Sequence, residues 1–201
     1  MKLRFSITSP FVRKCRMVAI EAGIEDKLEL APANAWAADT DLHRDNPLCK
    51  VPALVFDDGS TLYDSPVICE YLDSLHSGHK LFPEAGPERW AQLKLQALAD
   101  GITEAAVQLR IEGNMRPEGA RWPTWVERQT NAVNRGLDEL ERTVGHWDGV
   151  FLIGPIAVVA SLGYIEFRKI VPDWRQGRPH LARWHATVHN RRSVQETEPK
   201  E

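Results

Sequence analysis

Residues 9–15 read SPFVRKC, and they lie at the junction of two segments with different periodicity. The preceding residues 2–8, KLRFSIT, are typical of a β-strand. The segment that follows carries apolar side chains at spacings of four, three and four, which is one face of a helix: Phe11, Cys15, Val18 and Ala22. A thioredoxin-like redox protein would place Cys-x-x-Cys at such a strand-to-helix turn. Here the two positions hold Ser9 and Val12, so sulfur chemistry at this turn would depend on another thiol.

Short β-like and helical segments alternate through the first part of the chain. Residues 27–30 are a plausible second strand, and residues 53–56 and 61–63 flank a turn signal, which predicts a hairpin. A helix then opens at Ser65-Pro66, with the serine as N-cap and the proline at the first helical position. With a possible further helix before the hairpin, this order predicts a small α/β domain over residues 1–77.

The second part of the chain has helical periodicity throughout. A polar linker, residues 78–86, leads into it, and Leu93, Ala97 and Leu109 mark one side of a long first helix. Further helices are predicted around residues 126–144, 156–171 and 181–189. We therefore expect an all-α domain over residues 87–201.

Composition excludes several classes of partner. The 201 residues carry a net charge of −3, whereas a nucleic-acid-binding protein requires a basic surface. The three cysteines have no paired spacing, which favours a reduced, cytoplasmic protein. The most apolar stretch, residues 150–165, has 16 residues, and a membrane-spanning helix needs about 20. We expect neither nucleic-acid binding nor membrane insertion.

Two groups of ionisable residues have simple structural interpretations. Arg13, Lys14 and Arg16 would form the solvent side of the first helix or add positive charge near its start, and we favour the former. His185 and His189 are four residues apart but lack the glutamate of an H-E-x-x-H motif. We expect an exposed helix face there and no metal site.

Three local features could hold a ligand. Ser9 precedes a helix whose free N–H groups and dipole favour a negative charge. Val51-Pro52 heads a strand and could present backbone groups to an extended ligand. Asp64-Ser65 opens another helix and suits the ammonium and carboxylate of an amino acid, with Lys50 as a possible second carboxylate partner. Each feature also has an ordinary structural explanation, namely an N-cap, a trans proline or a surface lysine.

These features in this order resemble the glutathione transferase family. The motifs are SPF at residues 9–11, NPLCKVP at 46–52, DSPVI at 64–68 and LGY at 162–164. They span nearly the whole chain, and the start SPFVRK is most similar to a small bacterial branch of the family. The resemblance implies a thioredoxin-like N-terminal domain, an all-α C-terminal helical domain and a homodimer.

The resemblance also implies a glutathione site. Ser9 would support the glutathione thiolate, and Phe11 would be a further contact. A cis Val51-Pro52 bond would pair the backbone with the cysteinyl residue of glutathione. Asp64 and Ser65 would hold its γ-glutamyl end, and Lys50 would lie near its glycyl carboxylate.

The function implied is conjugation of glutathione, as co-substrate, to a small electrophile, without a metal. Two alternatives stay open: a non-catalytic glutathione-binding or regulatory protein, and a glutathione-dependent thiol reductase that uses Cys49. Two departures from the family pattern bear on these alternatives. Cys49 stands where relatives usually have glycine, and residues 151–156, FLIGPI, lack the Ser/Thr-x-x-Asp capping box that usually opens the next helix.

Overall fold

The computed structural model describes residues 1–147, 149 and 151–200. Val150, the first residue of the apolar stretch, and Glu201, the last of the predicted second domain, lie outside them. The chain divides into two units. The first contains Met1–Arg89 together with the C-terminal segment that starts at Arg192, and the second contains Trp90–Arg191.

The first unit contains a four-stranded sheet in the order β2-β1-β3-β4. The strands are β1 Lys2–Phe5, β2 Glu29–Pro32, β3 Ala53–Val55 and β4 Thr61–Leu62. β1 runs parallel to β2 and antiparallel to β3, and β3 pairs antiparallel with β4 as the predicted hairpin. Leu3 and Leu54 face each other across β1 and β3 and are fully buried, so the sheet centre belongs to the core.

Two helices accompany the sheet. They are α1, Pro10–Glu21, and α2, Ser65–Ser74, and they pack against each other. The possible helix before the hairpin is only a 3-10 turn, Leu42–Arg44, whose Leu42 is the buried residue. A single apolar side chain cannot form the stripe that a longer amphipathic helix needs.

The C-terminal segment packs on α1, where Arg13 and Lys14 were predicted to face solvent. A short helix α7, Arg192–Glu196, lies against α1. The Arg13 guanidinium donates to the carbonyl of Val194 at 3.1 Å and to Thr197 Oγ1 at 3.4 Å. Arg13 and Lys14 are therefore buried, and the predicted solvent side of α1 is wrong at these two positions. The same packing assigns the last residues to the first unit, unlike the predicted boundary of 87–201.

The predicted linker is attached to the end of α2 by Asp73. This buried carboxylate accepts hydrogen bonds from the backbone N–H groups of Leu81 at 2.8 Å and Phe82 at 3.1 Å. The His76 ring lies 2.9 Å from the same carboxylate. The chain that leaves α2 is thus fixed by one acidic side chain.

The second unit consists of helices that pack on one another. They are α3 Gly86–Asn114, which begins in the first unit, α4 Pro123–Thr143, α5 Ile153–Phe167 and α6 Pro179–Val188. Of these, α4 and α5 pack closely on the long α3, and α6 packs against α4. A Cβ on Gly136 of α4 would lie 2.4 Å from Ile102, and one on Gly154 of α5 would lie 2.8 Å from Leu95. Larger side chains at either glycine would force the helices apart.

The buried face of α3 differs from the one that its apolar residues predict. Leu93 and Leu109 are half-buried and Ala97 is exposed, whereas the polar Gln92 and Gln96 are buried. Gln92 has a structural reason for its position, because its Oε1 accepts the N–H of Gly154 at 3.1 Å.

Three helices of the second unit have their N-terminal N–H groups bound by side chains of earlier helices. Gln92 binds the start of α5, which lacks a capping box of its own. Glu112 of α3 accepts the N–H of Trp122, the N-cap of α4, at 2.6 Å. Glu141 of α4 accepts the N–H groups of Leu181 at 2.7 Å and His180 at 3.1 Å, at the start of α6. Each contact satisfies donors that a helix leaves unpaired and also joins two helices.

The expected exposed histidine pair is only partly exposed. His185 is buried, and its ring meets the Trp174 ring edge-to-face at 5.6 Å. In the described part of the chain, no group of three or more His, Cys, Asp or Glu side chains could hold a metal ion. No described helix is both long and apolar enough to cross a membrane.

Replacing Glu141 by alanine should lower the free energy of unfolding by about 1 kcal/mol, the usual effect of losing a helix cap. Burial alone would raise the pKa of the Glu141 carboxyl, but hydrogen bonds from Leu181 and His180 lower it below its ordinary value. The stabilisation is therefore present above the ordinary carboxyl pKa and is lost as the pH falls through the lowered one. Urea unfolding at several pH values measures both effects.

Glu139 on the same helix provides the matched control, because its carboxylate binds only the exposed Arg142 among the described residues. Glu139→Ala should change stability less than Glu141→Ala. Equal effects of the two substitutions would contradict the capping role.

Candidate functional site

Ser9 caps α1 as the sequence predicts. Its backbone is extended, Pro10 is the first helical residue, and Ser9 Oγ accepts the N–H of Val12 at 3.3 Å. A hydroxyl that accepts through its oxygen can still donate its proton. The start of α1 thus offers one O–H donor in addition to the positive end of the helix dipole.

The loop before β3 is organised by Asn46, whose side chain is 1% exposed. Asn46 Oδ1 accepts the N–H of Leu48 at 3.0 Å, and Nδ2 donates to the carbonyl of Lys50 at 2.9 Å. The Asn46 carbonyl also accepts the N–H of Cys49 at 2.8 Å. One side chain therefore fixes both ends of the turn that leads to Val51. The sequence alone did not predict this role, although Asn-Pro is a recognised turn signal.

Cys49 lies in the left-handed region with φ 52° and is half-buried. Glycine adopts this conformation without strain, and other residues pay a steric penalty there. The position therefore explains why glycine would be usual in the motif.

Val51 and Pro52 connect this turn to β3. The Val51–Pro52 peptide bond is cis. In the part of the chain that the structure describes, the backbone N–H and C=O of Val51 have no hydrogen-bond partner. Lys50 is exposed beside them. An extended ligand could pair with these two backbone groups.

The N-cap of α2 lies one residue earlier than the sequence predicts. Asp64, rather than Ser65, is the N-cap, and its side chain makes no capping hydrogen bond. Ser65 is the first helical residue and is 2% exposed, while Asp64 is exposed. The Tyr63–Asp64 peptide bond is also cis. Asp64 and the first N–H groups of α2 thus present a carboxylate beside free donors.

The sheet register brings these three segments to one edge. β1 ends at Phe5, and Arg4 pairs with Ala53, the first residue of the antiparallel β3. β4 runs antiparallel to β3 and ends at Leu62. The chain after β1, the chain before β3 and the chain after β4 therefore meet at the same edge. These segments carry all of the predicted site residues: Ser9, Phe11, Lys50, Val51, Pro52, Asp64 and Ser65.

A thiol contact also joins the two helices that begin at this edge. Cys15 of α1 is fully buried, and its Sγ donates to the carbonyl of Ser65 at 3.8 Å. Cys69 of α2 lies 3.7 Å from Cys15, sulfur to sulfur. The start of α2 is therefore held against the second turn of α1.

Comparison with known proteins gives this site its context. The family model described as glutathione S-transferase, N-terminal domain, matches residues 8–75. The uncharacterized GST-like protein YibF of Escherichia coli (strain K12) is 35% identical over 99% of this chain and 98% of its own length.

Solved structures extend the likeness to the whole fold. A glutathione transferase family member from Pseudomonas fluorescens Pf-5, with bound glutathione, superposes with a TM-score of 0.96 and 38% identity over 100% of this chain and 99% of its own. A glutathione S-transferase from Methylobacillus flagellatus KT, also with glutathione bound, gives 0.93 and 38% over 99% of both chains. This chain therefore belongs to the glutathione S-transferase family.

Proposed function

We propose that this protein binds glutathione at the sheet edge of its first unit and adds the glutathione sulfur to a small electrophile. The observation that carries the proposal is the convergence of two helix starts and an unpaired backbone segment at that edge. The two solved relatives with glutathione bound support the choice of ligand.

Ser9 is the proposed support for the thiolate. A free thiol has a pKa of about 8.5, and lowering it to about 6.5 requires about 2.7 kcal/mol. A hydrogen bond to a charged group contributes about 1.5–3 kcal/mol, and a helix N-terminus adds about 0.3–1 kcal/mol. The Ser9 hydroxyl and the start of α1 can supply this amount together without a general base.

The other predicted site residues offer groups that suit the backbone and the charged ends of glutathione. Val51 offers a backbone N–H and C=O to the cysteinyl residue. Asp64 suits the γ-glutamyl ammonium, and the Ser65 hydroxyl with the first N–H groups of α2 suits its carboxylate. Lys50 provides a cation for the glycyl carboxylate, and the half-buried Phe11 adds apolar contact.

The chemistry is nucleophilic attack by sulfur. The thiol proton leaves to solvent, the thiolate forms a carbon–sulfur bond with the electrophile, and any leaving group departs with its electron pair. The Pseudomonas fluorescens relative has also been solved with S-(propanoic acid)-glutathione, a thioether of the kind that this reaction yields.

The thiol reductase alternative would require an activated Cys49. This residue lies in a turn rather than at a helix start, where low thiol pKa values arise. A disulfide-reduction assay beside the conjugation assay distinguishes the two activities, and glutathione binding without either activity would indicate the non-catalytic alternative.

Ser9→Ala should raise the pH at which bound glutathione ionises by roughly one to two units, because the thiolate loses a hydrogen bond. The ultraviolet thiolate band of the complex, recorded against pH, measures this shift. Cys15→Ser and Cys49→Ser should leave the pH at which bound glutathione ionises unchanged. Activity that is lost in Cys49→Ser and retained in Ser9→Ala would overturn the assignment in favour of the reductase.

Ser65→Ala should weaken glutathione binding about tenfold or more, since a hydrogen bond to a charged carboxylate is lost. Ser65 is the first helical residue and not the N-cap. The substitution should therefore lower the protein's free energy of unfolding by less than the roughly 1 kcal/mol that loss of an N-cap causes. Ser74→Ala is the matched control, an exposed serine at the other end of α2. Calorimetry showing equal affinities in the two folded variants would place the anchor elsewhere.

The family resemblance also leads us to propose a two-fold homodimer. Light scattering at micromolar concentration should give twice the chain mass of 22.7 kDa. A mass near that of the single chain would contradict this part of the proposal.

A further inference from the structure

One arginine of the sheet binds two carboxylates of the chain between β2 and β3. Arg4 lies on β1, which is an inner strand between β2 and β3. Its Nη2 donates to Asp41 Oδ1, and its Nη1 lies 3.0 Å from Asp45 Oδ2. The hydrogen bond from Arg4 lowers the pKa of the Asp41 carboxyl below its ordinary value. Each terminal nitrogen of the guanidinium group thus holds one carboxylate.

These two carboxylates flank the 3-10 turn that precedes the loop of the candidate site. Asp41 stands at the start of the turn and Asp45 at its end. The backbone N–H groups of Asp45 and Asn46 both donate to the carbonyl of Leu42, at 3.0 Å and 2.9 Å. Asn46 in turn fixes the turn that leads to Val51. A displacement of the 3-10 turn would therefore carry Asn46 and the Val51 backbone with it.

Few other contacts hold this part of the chain. We call residues 33–52, which connect β2 to β3 without an α-helix or a strand, the connecting segment. Leu42 and Asn46 are the buried side chains among residues 33–51. In the described chain, the other side-chain hydrogen bonds of residues 34–51 stay within the segment. A segment with so little buried surface opens at a low free energy, so its attachment depends on the ion pairs to Arg4.

Arg4 also pairs with the other end of the connecting segment. In the register of β1 and β3, its backbone lies opposite Ala53, the residue that follows Pro52. Its side chain holds the segment before Val51, and its backbone holds the chain after it. The Arg4 and Asp45 side chains are only 17% and 19% exposed, and salt screens such a pair less than a surface pair. The planar fork of arginine suits two carboxylates better than a lysine ammonium does.

We infer that Arg4 is a positioning residue of the glutathione site, an inference that rests on the proposed function. Through Asp41 and Asp45 it keeps the connecting segment in the conformation in which the Val51 backbone can pair with the ligand. Without these contacts a smaller fraction of the molecules is competent to bind. The apparent dissociation constant of glutathione then rises by the same factor.

Amide hydrogen exchange of the full-length protein without glutathione tests the contact itself. In Arg4→Gln, peptides that cover residues 42–50 should exchange about fivefold faster or more, because the segment opens more often, while peptides of α4 stay unchanged. Asp45→Asn keeps the shape of the side chain and should act in the same direction. The double variant should exceed Arg4→Gln by less than the sum of the two single effects, since both remove one interaction.

Lys2→Gln is the matched control. Lys2 is an exposed cation on the same strand, and its Nζ lies 3.9 Å from Glu29 of β2, outside the connecting segment. This substitution should change neither the exchange of residues 42–50 nor the binding of glutathione. Far-ultraviolet circular dichroism shows whether each variant is folded, and Asp45→Asn replaces Arg4→Gln in the comparison if the latter is not.

Glutathione binding and turnover then test the positioning role. Arg4→Gln should raise the dissociation constant, measured by calorimetry, and the KM for glutathione about fivefold or more. With an activated aryl halide as electrophile and saturating glutathione, kcat should stay unchanged, as should the pH at which bound glutathione ionises, because these depend on Ser9 and α1. Arg4→Lys should restore part of the affinity, because it keeps the charge but not the fork.

The outcomes separate this inference from the proposed function. Unchanged exchange of residues 42–50 in both Arg4→Gln and Asp45→Asn would overturn the inference, whatever the affinity for glutathione. Faster exchange with unchanged glutathione affinity would overturn the positioning role and leave the proposed function standing. Absence of glutathione binding by the unsubstituted protein would contradict the proposed function, and the positioning role would fall with it.

Discussion

The first N–H groups of every helix lack partners within that helix, and the two units of this protein satisfy them differently. In the second unit, side chains from earlier helices bind the starts of α4, α5 and α6. Those donors are used to hold helices together. In the first unit, α1 is capped only by the small side chain of Ser9, and the N-cap Asp64 of α2 makes no capping bond. Donors at these two starts therefore remain for a ligand.

The sheet determines where those donors meet. Because β3 runs antiparallel to β1 and β4 antiparallel to β3, the residues after β1, before β3 and after β4 share one edge. Asn46 fixes the middle segment, and the contact of Cys15 with the Ser65 carbonyl holds α2 against α1. A shift of register by one residue would turn the fully buried Leu3 and Leu54 outward. Core packing of the sheet thus maintains the geometry of the proposed glutathione site.

Local patterns predicted the fold well because they need no knowledge of distant partners. The apolar spacing in α4, the proline at the start of α1 and the turn between β3 and β4 are all local signals. The errors involve tertiary contacts. Burial of Arg13 depends on α7, which is 181 residues away along the chain, and burial of Gln92 depends on Gly154, 62 residues away. Asn46 was missed for a different reason, since its hydrogen bonds to Leu48, Cys49 and Lys50 appear only when the loop is folded.

Backbone donors without partners within their own helices remain at the sheet edge of the first unit, at the starts of α1 and α2. These donors attract negative charge, although the chain as a whole carries −3. Such attraction cannot come from the overall field of the protein, which would repel an anion. It comes from donors placed within hydrogen-bonding reach, and screening by salt weakens it less when those donors are buried. The burial of Ser65 at the start of α2 is therefore part of the physical basis of the proposed glutathione site.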